Sequence, residues 1–382
     1  MFSLPDWAPN VHPFVVHFPI ALLVVAVLTD LLSLALRRYP WLRVLAVGLY
    51  AVGAVASLVA FLTGRVAARE VLVPAAANQV LTEHEDWAER TLWFYGLFAL
   101  ARIGADWWDR QARLSLHLPL FLIGSGGLIL LYETGEHGAQ MVFEHGVGVQ
   151  AMIKRQTKPQ GHPHEEGSIR ETHEREGSAR PGQKEGSGAS SPELAETGLR
   201  VEKDGAWRWH ASQDVERVLR ERFDWMEGGW TDLDPAVLHD PVEGDVLALH
   251  PKGKRVVFVA GVPLQSLQAD LRLNADAFDG TIMLIHHVQN AQNYHFLALD
   301  TGKMSLGTVT GGVAEVQDSG LADTAGWQPM RLVSQKTHFR GYIGDKMVVH
   351  GHGHEPKPGR VGLLVNGTGT LLLDSLEVRV MK

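Results

Sequence analysis

The sequence has no cysteine among its 382 residues. This absence excludes disulfide bonds, metal sites built from thiolates, iron–sulfur clusters and covalently attached c-type haem. Any metal or haem that the chain binds must use other donors, such as histidine or methionine. The absence leaves the cellular compartment open, because many exported proteins also carry no cysteine.

Basic residues are not in excess either. The chain has 35 Lys and Arg against 43 Asp and Glu, a formal net charge of −8. Proteins that bind nucleic acid present a basic surface, so this balance argues against nucleic acid as a partner. The opening segment MFSLPDWAPN contains no Lys or Arg, and the apolar run after it is too long for a signal peptide. We therefore expect no cleavable signal peptide.

Long apolar runs fill the first 150 residues, whereas the rest of the chain has none of similar length. A helix that crosses a bilayer needs about 20 apolar residues. The runs at 13–36, 42–63, 87–105 and 116–132 approach or exceed that length. The sequence therefore predicts a transmembrane four-helix bundle over residues 1–153, in a multi-pass protein of the lipid bilayer.

Basic residues near the ends of the runs predict the orientation, because they favour the cytoplasmic side. The connection between runs two and three has three basic residues among five acidic ones. The other two connections carry six: Arg37, Arg38, Arg43, Arg102, Arg110 and Arg113. We expect these two connections in the cytoplasm and both termini in the periplasm, with the bundle in the bacterial inner membrane.

With this orientation, five histidines gather at the periplasmic face of the bundle. They are His12 and His17 at the start of run one, His84 before run three, and His137 and His145 after run four. Histidine near membrane depth is costly unless it is paired or ligating, so this set is a hypothetical functional site. Asp30, inside run one, is expected to hydrogen-bond to a neighbouring helix.

The chemistry of imidazole favours a cofactor at this face. Neutral imidazole is the usual protein ligand of haem iron, zinc and copper. Two histidines on facing helices would suit b-type haem. If the last helix continues, His137, Met141 and His145 follow at i, i+4 and i+8 along one face and could ligate haem or copper. We favour haem b, with copper or zinc, or no cofactor at all, as alternatives.

The same residues resemble a known family. HPFVVHFPIALL near the start, a histidine before run three and a final EHGVGV are similar to an uncharacterised bacterial four-helix membrane family. Its motif runs HPxxVHFP at the front and HGVGV at the end. The resemblance covers about residues 10–150, and by matching position it implies His12, His17, His84 and His145 as motif histidines. His137 lies outside the match. The family has no established biochemical function.

A polar segment, residues 154–204, follows the bundle. From Lys154 to about Glu196 it has almost no aliphatic residues and mixed charge, so it cannot bury enough apolar surface to fold alone. We predict a flexible linker. A coil of about 40 residues spans about 35 Å, which is enough to place the next domain beside or above the bundle.

Short alternating runs separated by turns fill residues 205–382. Candidate strands lie at 245–250, 256–259, 264–274, 280–287, 294–300, 303–309, 330–335, 338–343, 346–350, 360–365 and 371–380. Turn sequences such as Gly311-Gly312 and Asn366-Gly367 punctuate them. So many short strands in such a length indicate an all-β sandwich or jelly roll outside the membrane.

The segments DGTIMLIHHVQNAQNYHFLALDTGKMSLGTV, GWQPMRLVSQKTHFRGYIGDKMVVHG and GRVGLLVNGTGTLLLDSLEVRV resemble the concanavalin-like, laminin-G-type sandwich family. The resemblance covers about residues 221–382. It implies a sandwich whose relatives include sugar-binding modules, glycosidases and protein-interaction domains, so a fold of this kind does not determine function.

Catalysis by this domain is not expected. A retaining glycosidase needs two carboxyl groups about 5 Å apart, and the sequence has no ExDxxE-like run that would supply them. HGHGHE places His350, His352 and His354 on one face if the segment is extended, which is a candidate metal site. His286, His287 and His295 are expected on the faces of the sandwich.

The sequence thus supports two main functions. The preferred one is electron transfer by a membrane-bound b-haem protein, whose sandwich docks to a periplasmic protein or a larger electron-transfer complex. The alternative is a non-catalytic membrane anchor that displays a glycan- or protein-binding sandwich. A sugar-hydrolysing enzyme is the weakest hypothesis, since no carboxylate pair is recognisable.

Overall fold

The computed structural model describes residues 10–112, 116–149, 199–212 and 214–381. Within these, the N-terminal domain contains four long helices, as predicted, and a one-turn helix before them. The helices are α1 (His12–Val15), α2 (His17–Ala35), α3 (Pro40–Glu70), α4 (Asn78–Ala112) and α5 (His117–Phe143), with a 3-10 turn at Ala75–Ala77. Each long helix packs on the next, and α5 also packs on α2, so that the four close into a bundle.

The first predicted run is broken rather than continuous. α1 ends at Val15 and α2 begins at His17. Pro19 explains the break, because it has no N–H to donate to the Val15 carbonyl and its ring crowds that carbonyl. Val16 between the two helices keeps a right-handed helical conformation, and α1 packs on α3, as α2 does.

Close packing inside the bundle depends on glycine. A Cβ added at Gly53 would meet Leu23, and one added at Gly127 would meet Phe94 and Tyr95. Gly124 similarly faces Tyr50 and Phe98. At these three positions the absence of a side chain allows neighbouring helices to approach closely.

Three segments among the described residues are long and apolar enough to cross a membrane: His12–Ala35, Pro40–Glu70 and His117–Phe143. The predicted span at 87–105 lies in α4, which is not among them. Acidic residues in the first half of α4, together with Arg102 and Asp106 in its second half, lower its hydropathy. Its place in a membrane therefore depends on its packing between α3 and α5.

The C-terminal domain is an antiparallel sandwich of fourteen strands. They are β1 (Leu199–Val201), β2 (Trp207–His210), β3 (Asp224–Glu227), β4 (Ala236–Asp240), β5 (Gly244–Leu249), β6 (Val256–Leu264), β7 (Leu267–Asn290), β8 (Asn293–Asp300), β9 (Lys303–Thr310), β10 (Val313–Leu321), β11 (Trp327–Gln335), β12 (His338–Ile343), β13 (Lys346–His352) and β14 (Gly359–Val380). Two short helices, α6 (Val215–Arg222) and α7 (Trp230–Leu233), lie between β2 and β4. β1 falls within the predicted linker, most of which lies outside the described residues.

Two long strands, β7 and β14, pair along most of their length and belong to both layers of the sandwich. The first half of β7 pairs with β11, and its second half pairs with β8. One layer therefore runs β1-β2-β14-β7-β11-β12-β13, and the other runs β3-β6-β14-β7-β8-β9-β10. Large side chains such as Trp207, Phe258 and Phe339 fill the core between the layers.

The structure joins strands that the sequence predicts as separate. β7 covers the predicted strands 264–274 and 280–287, and β14 covers 360–365 and 371–380. Gly280 (φ +153°) and Gly369 (φ +91°) mark the bends between the halves, where the backbone changes direction without ending the strand. β10 was not predicted, because most of its side chains face solvent and it lacks an apolar alternation.

Candidate functional site at the domain interface

The sandwich lies against the end of the bundle where α3 ends and α4 begins. Leu72 and Lys346 form an isolated antiparallel bridge, and the Val73 N–H donates to the Asp345 carbonyl at 2.7 Å. Residues 68–86 and the outer faces of β11, β12 and β13 together form what we call the domain interface. Its buried apolar members are Ala68, Val73, Ala77, Leu81, Val333, Tyr342 and Met347.

Strand alternation on β12 supplies the polar half of the domain interface. Phe339 points into the sandwich core, so His338 and Arg340 on either side of it point outward. The register places His338 opposite His352 and Arg340 opposite His350 of β13. Directly opposite residues of an antiparallel pair are close neighbours on one face. Three imidazoles and a guanidinium are thereby brought together on the surface of the sheet.

The first turns of α4 supply the partners. Asn78, Thr82 and Glu85 follow at i, i+4 and i+7, which places them on one helical face. The Tyr342 hydroxyl donates to Asn78 Oδ1 at 2.7 Å. Arg340 donates to Thr82 Oγ1 at 2.7 Å and to Glu85 Oε2 at 2.5 Å.

Arg340 and Glu85 form a buried ion pair between the two domains. The Arg340 side chain is 0% exposed and that of Glu85 is 16% exposed. Burial alone would raise the pKa of the Glu85 carboxyl, but the Arg340 guanidinium holds it well below its usual range. Glu85 is therefore ionised at physiological pH, and a buried charge of this kind requires its partner to stay in place.

His338, His350 and His352, which we call the histidine group, offer ring nitrogens that all lie within 4.8 Å of one another. His338 Nε2 lies 3.0 Å from Asp86 Oδ1, and His338 Nδ1 lies 3.1 Å from Glu85 Oε2. Burial lowers the pKa of His350 to about 3, and nearby Glu85 only partly offsets this effect. The His350 imidazole is therefore neutral, and its ring nitrogen can serve as a metal ligand.

The sequence predicted part of this group. His350 and His352 come together as expected from HGHGHE, but the third member is His338 of the neighbouring strand. His354 lies beyond the end of β13 and is not a member. Sequence reasoning missed His338, Arg340 and Glu85. The alternation His-x-Arg-x-Tyr in β12 was a usable signal for the first two residues. Nothing in the sequence marked Glu85 on α4 as their partner.

The structure also brings together some of the histidines that the sequence places at one end of the bundle, where α3 ends and α4 begins. His12 Nδ1 lies 3.2 Å from Thr63 Oγ1, and its ring packs where a Cβ at Gly64 would fall. His84 Nδ1 donates to the Thr134 carbonyl at 2.9 Å. Because Nδ1 of each ring is engaged in these contacts, Nε2 is the ring nitrogen that could ligate a metal ion or haem iron.

His137 is engaged at both nitrogens. Nδ1 donates to the Glu133 carbonyl at 2.7 Å, and Nε2 lies 3.3 Å from Glu83 Oε2. Together with Glu133 and Glu136 it forms a second group with metal-ligand spacing.

The remaining predicted site residues are more dispersed. Met141 packs against the apolar part of the domain interface. α5 ends at Phe143, and Gly146 has a positive φ of 67°. His145 therefore lies beyond the helix, and the predicted His137–Met141–His145 stripe is not one helical face. His17 is exposed on α2, away from the contacts of His12.

Asp30 has a partner that the sequence did not reveal. Its carboxylate accepts a hydrogen bond from Arg102 of α4, and both side chains are almost completely buried. His117 Nδ1 lies 3.5 Å from Arg102 Nη1. Arg43 likewise pairs with Asp106. Arg102 and Arg43 are thus ion-paired within the bundle rather than free loop charges.

A third set of histidines lies inside the sandwich. His286 and His287 bring their Nδ1 atoms to 2.7 Å, and the His295 ring packs against both and stacks on Phe339. Burial, reinforced by His287, lowers the pKa of His295 to about 4. These histidines lie on the paired strands β7 and β8, where the sequence places them on the faces of the sandwich.

Comparison with known proteins identifies the helical domain. Residues 8–151 match the family described as "Predicted membrane protein (DUF2231)". The chain therefore carries a DUF2231 membrane domain at its N-terminus, and the predicted fusion of a helical membrane domain with a β-sandwich is confirmed. No curated protein matches the chain.

Solved structures match the chain at low identity. A carbohydrate-binding module, CBM66 from Bacillus subtilis, is 15% identical with a TM-score of 0.34, over 41% of this chain and 94% of its own. A Bacillus subtilis protein of unknown function with a galectin-like fold is 11% identical with a TM-score of 0.31, over 42% and 92%. The Crh5 transglycosylase in complex with NAG is 10% identical with a TM-score of 0.33, over 46% and 84%. The sandwich architecture itself follows from the strand pairing described above.

Proposed function

We propose that this chain, a DUF2231 membrane domain joined to a β-sandwich, is a non-catalytic membrane anchor that holds a binding module in a fixed orientation. The observation that carries the proposal is the domain interface. A module tethered only by a polar linker would need no buried contact with the bundle. Here Arg340 is fully buried between Thr82 and Glu85, and Val73 pairs with Asp345 through the backbone.

The ligand of the module is a glycan or a protein. Residues 68–86 cover the outer faces of β12 and β13 at the domain interface, so a ligand would bind parts of the sandwich turned away from the membrane. The full-length protein in detergent, applied to a glycan array and to membrane and periplasmic extracts, tests this. Reproducible binding that resists salt supports the proposal, and a glycosidase activity on the arrayed glycans would contradict it.

We propose that the sandwich lies outside the cytoplasm. Arg43 and Arg102 are ion-paired, so the orientation depends chiefly on Arg37, Arg38, Arg110 and Arg113, of which Arg37 and Arg38 are exposed at the end of the bundle opposite the sandwich. The absence of cysteine makes the test direct. A cysteine at Val242, which is 77% exposed, should react with a membrane-impermeant maleimide in whole cells with a permeable outer layer. A cysteine at Tyr39, which is 39% exposed in the connection between α2 and α3 and leaves both arginines in place, should react only after lysis.

A b-type haem that passes electrons to a periplasmic or membrane complex is the second candidate function. His12 and His84 favour it, because both lie at the same end of the bundle with Nδ1 hydrogen-bonded and Nε2 as the coordinating atom. A reduced-minus-oxidised spectrum of the purified protein tests it. A Soret band that disappears in His84→Ala would support haem, and a normally expressed protein without a Soret band would exclude it. Metal content measured on the same sample tests copper or zinc at this site.

A further inference from the structure

We propose that His338, His350 and His352, together with Glu85, bind one Zn²⁺ ion that links the sandwich to the helical domain. The three histidines come from two paired strands of the sandwich, and Glu85 comes from α4. A metal ion held by all four would therefore join the two domains directly. The proposal rests on the docked arrangement of the proposed function and adds a ligand to it.

The spacing of the donor atoms fits a tetrahedral ion. With bonds of about 2.05 Å, neighbouring donors of such a site lie about 3.3 Å apart. Glu85 Oε2 lies 3.1 Å from His338 Nδ1 and 4.0 Å from His350 Nε2, and the histidine nitrogens lie within 4.8 Å of one another. Small side-chain rotations would bring all four donors to the required separations.

Two of these nitrogens are buried without a hydrogen bond. His338 Nδ1 and His350 Nε2 have no hydrogen-bond partner among the described residues, although Glu85 lies within ion-pair distance of both. Buried polar atoms in native proteins are nearly always hydrogen-bonded, so such atoms call for an explanation. A metal ion between them would satisfy both nitrogens at once.

The surroundings of His338 resemble those of a metal ligand. A ligating histidine usually donates its second ring nitrogen to a carboxylate or carbonyl, which fixes its tautomer and orientation. His338 Nε2 lies 3.0 Å from Asp86 Oδ1. With an ion bound, this contact would keep the proton on Nε2 and leave the Nδ1 lone pair for the ion.

Three imidazoles and one carboxylate select the class of ion. This donor set suits Zn²⁺, whereas Ca²⁺ and Mg²⁺ prefer oxygen ligands in larger numbers. Arg340 also contacts Glu85, but it keeps that carboxylate ionised, and a carboxylate can accept several partners at once. Four protein donors leave no open position, as in structural rather than catalytic zinc sites.

The test uses the full-length protein in detergent, stripped with EDTA and titrated with Zn²⁺ against a chromophoric chelator. We expect one tight Zn²⁺ per chain and a Zn²⁺-dependent rise in the thermal midpoint. The double variant His350→Gln/His352→Gln should lose both. Asp86→Asn should weaken binding by about 10- to 100-fold, as expected for removing an outer partner of a ligand.

Two control variants separate the proposed site from other histidines. His354→Gln changes the neighbouring member of HGHGHE and should bind as the wild type does. A variant in which His162, His164 and His173 of the linker are replaced by glutamine should also keep the tight site. Binding that survives in His350→Gln/His352→Gln, or stoichiometric binding lost only with the linker histidines, would overturn the proposal.

Glu85→Gln tests the contribution of α4. It should weaken Zn²⁺ binding and abolish the rise in thermal midpoint, and X-ray absorption of the wild type should report three imidazoles and one oxygen. Absence of tight Zn²⁺ binding in a folded wild type overturns the metal site and leaves the anchor function standing. Tight binding that is indifferent to Glu85→Gln overturns the link between the domains, because the histidines would then act within the sandwich alone.

Discussion

The guanidinium of Arg340 on β12 donates to the carboxylate of Glu85 on α4, and Arg340 is fully buried in that position. Neither charge has a place in the interior of its own domain, so the pair exists only when the domains are in contact. A buried ion pair contributes little net stability compared with apolar groups, but removal of one member is costly. The ion pair therefore determines the relative orientation of the two domains more than the free energy of the contact between them.

Replacement of Arg340 tests that statement. Arg340→Met leaves Glu85 buried without its cation and should lower the free energy of unfolding by about 3–5 kcal/mol. Arg340→Met/Glu85→Leu should recover most of that loss, since two apolar side chains then meet. Thermal unfolding in detergent with EDTA provides the measurement, and Arg217→Met is the control, because Arg217 and Asp214 form an exposed pair whose loss should cost under about 1 kcal/mol. A double variant as unstable as the single one would contradict the argument.

The buried ion pair of Asp30 and Arg102 within the bundle should respond to single and double substitution in the same way. Asp30→Leu leaves a buried guanidinium unpaired and should destabilise the protein by about 3–5 kcal/mol. Asp30→Leu/Arg102→Met should be closer to the wild type. Yield and thermal midpoint in detergent are the measurements, and equal losses in the single and double variants would contradict the argument that the unpaired guanidinium causes the loss.

Helix packing in the bundle predicts opposite results for two adjacent glycines. Gly127→Ala adds a methyl group where Phe94 and Tyr95 already lie and should destabilise the bundle by about 1–3 kcal/mol. Gly126→Ala meets no atom within 4 Å and should be neutral or stabilising by up to about 1 kcal/mol, because alanine favours the helix. Thermal midpoints compare the two variants, and a Gly126→Ala variant that is the less stable of the two would be inconsistent with this packing.

Acid should destabilise the sandwich through its buried histidines. The pKa of His295 is lowered to about 4, so between pH 6.5 and 4 the unfolded chain takes up a proton that the folded chain does not. Stability is therefore full above the unfolded pKa and is lost as the pH falls. Allowing for partial exposure, His295 should account for about 1–2 kcal/mol at pH 5. His286 and His287 act in the same direction.

The measurement is the difference in thermal midpoint between pH 7.5 and pH 5 for the wild type and for His295→Gln, both with EDTA. His295→Gln should lose less stability on acidification. The exposed His239, whose side chain is 78% exposed, provides the control, and His239→Gln should behave as the wild type does. An identical acid response in all three proteins would exclude His295 as a contributor.

Local patterns predicted the two domains and most of the strands, because apolar run length and strand alternation are properties of short segments. The joins within β7 and β14 were missed, since Gly280 reads as the start of a new strand and Asn366-Gly367 as a turn, whereas both strands continue through these positions.

The domain interface could not be predicted from the sequence. His338 and His352 are brought together by strand register, and Glu85 reaches them from a helix about 250 residues away. The partner of Asp30 was missed for the same reason, because Arg102 is on another helix. The histidines of the bundle were recognisable individually, whereas their hydrogen bonds to Thr63 and Thr134 depend on helix packing.

The contact between the domains can be tested by a disulfide, because the chain has no cysteine of its own. Leu72 and Lys346 form an antiparallel bridge with the Val73–Asp345 hydrogen bond beside it. In such a non-hydrogen-bonded pair the Cα atoms lie about 4.5 Å apart, within the range that a disulfide spans. Leu72→Cys/Lys346→Cys would be oxidised in membranes, after which a protease site placed in the linker would be cut.

If the sandwich is docked on the bundle, the two fragments stay joined on a denaturing gel without reductant and separate with it. Each single-cysteine variant, and the pair Leu72→Cys/Val242→Cys with its second cysteine in the β4–β5 turn, should separate under both conditions. Fragments of Leu72→Cys/Lys346→Cys that separate without reductant, while both cysteines remain reactive to maleimide, would contradict the docked arrangement.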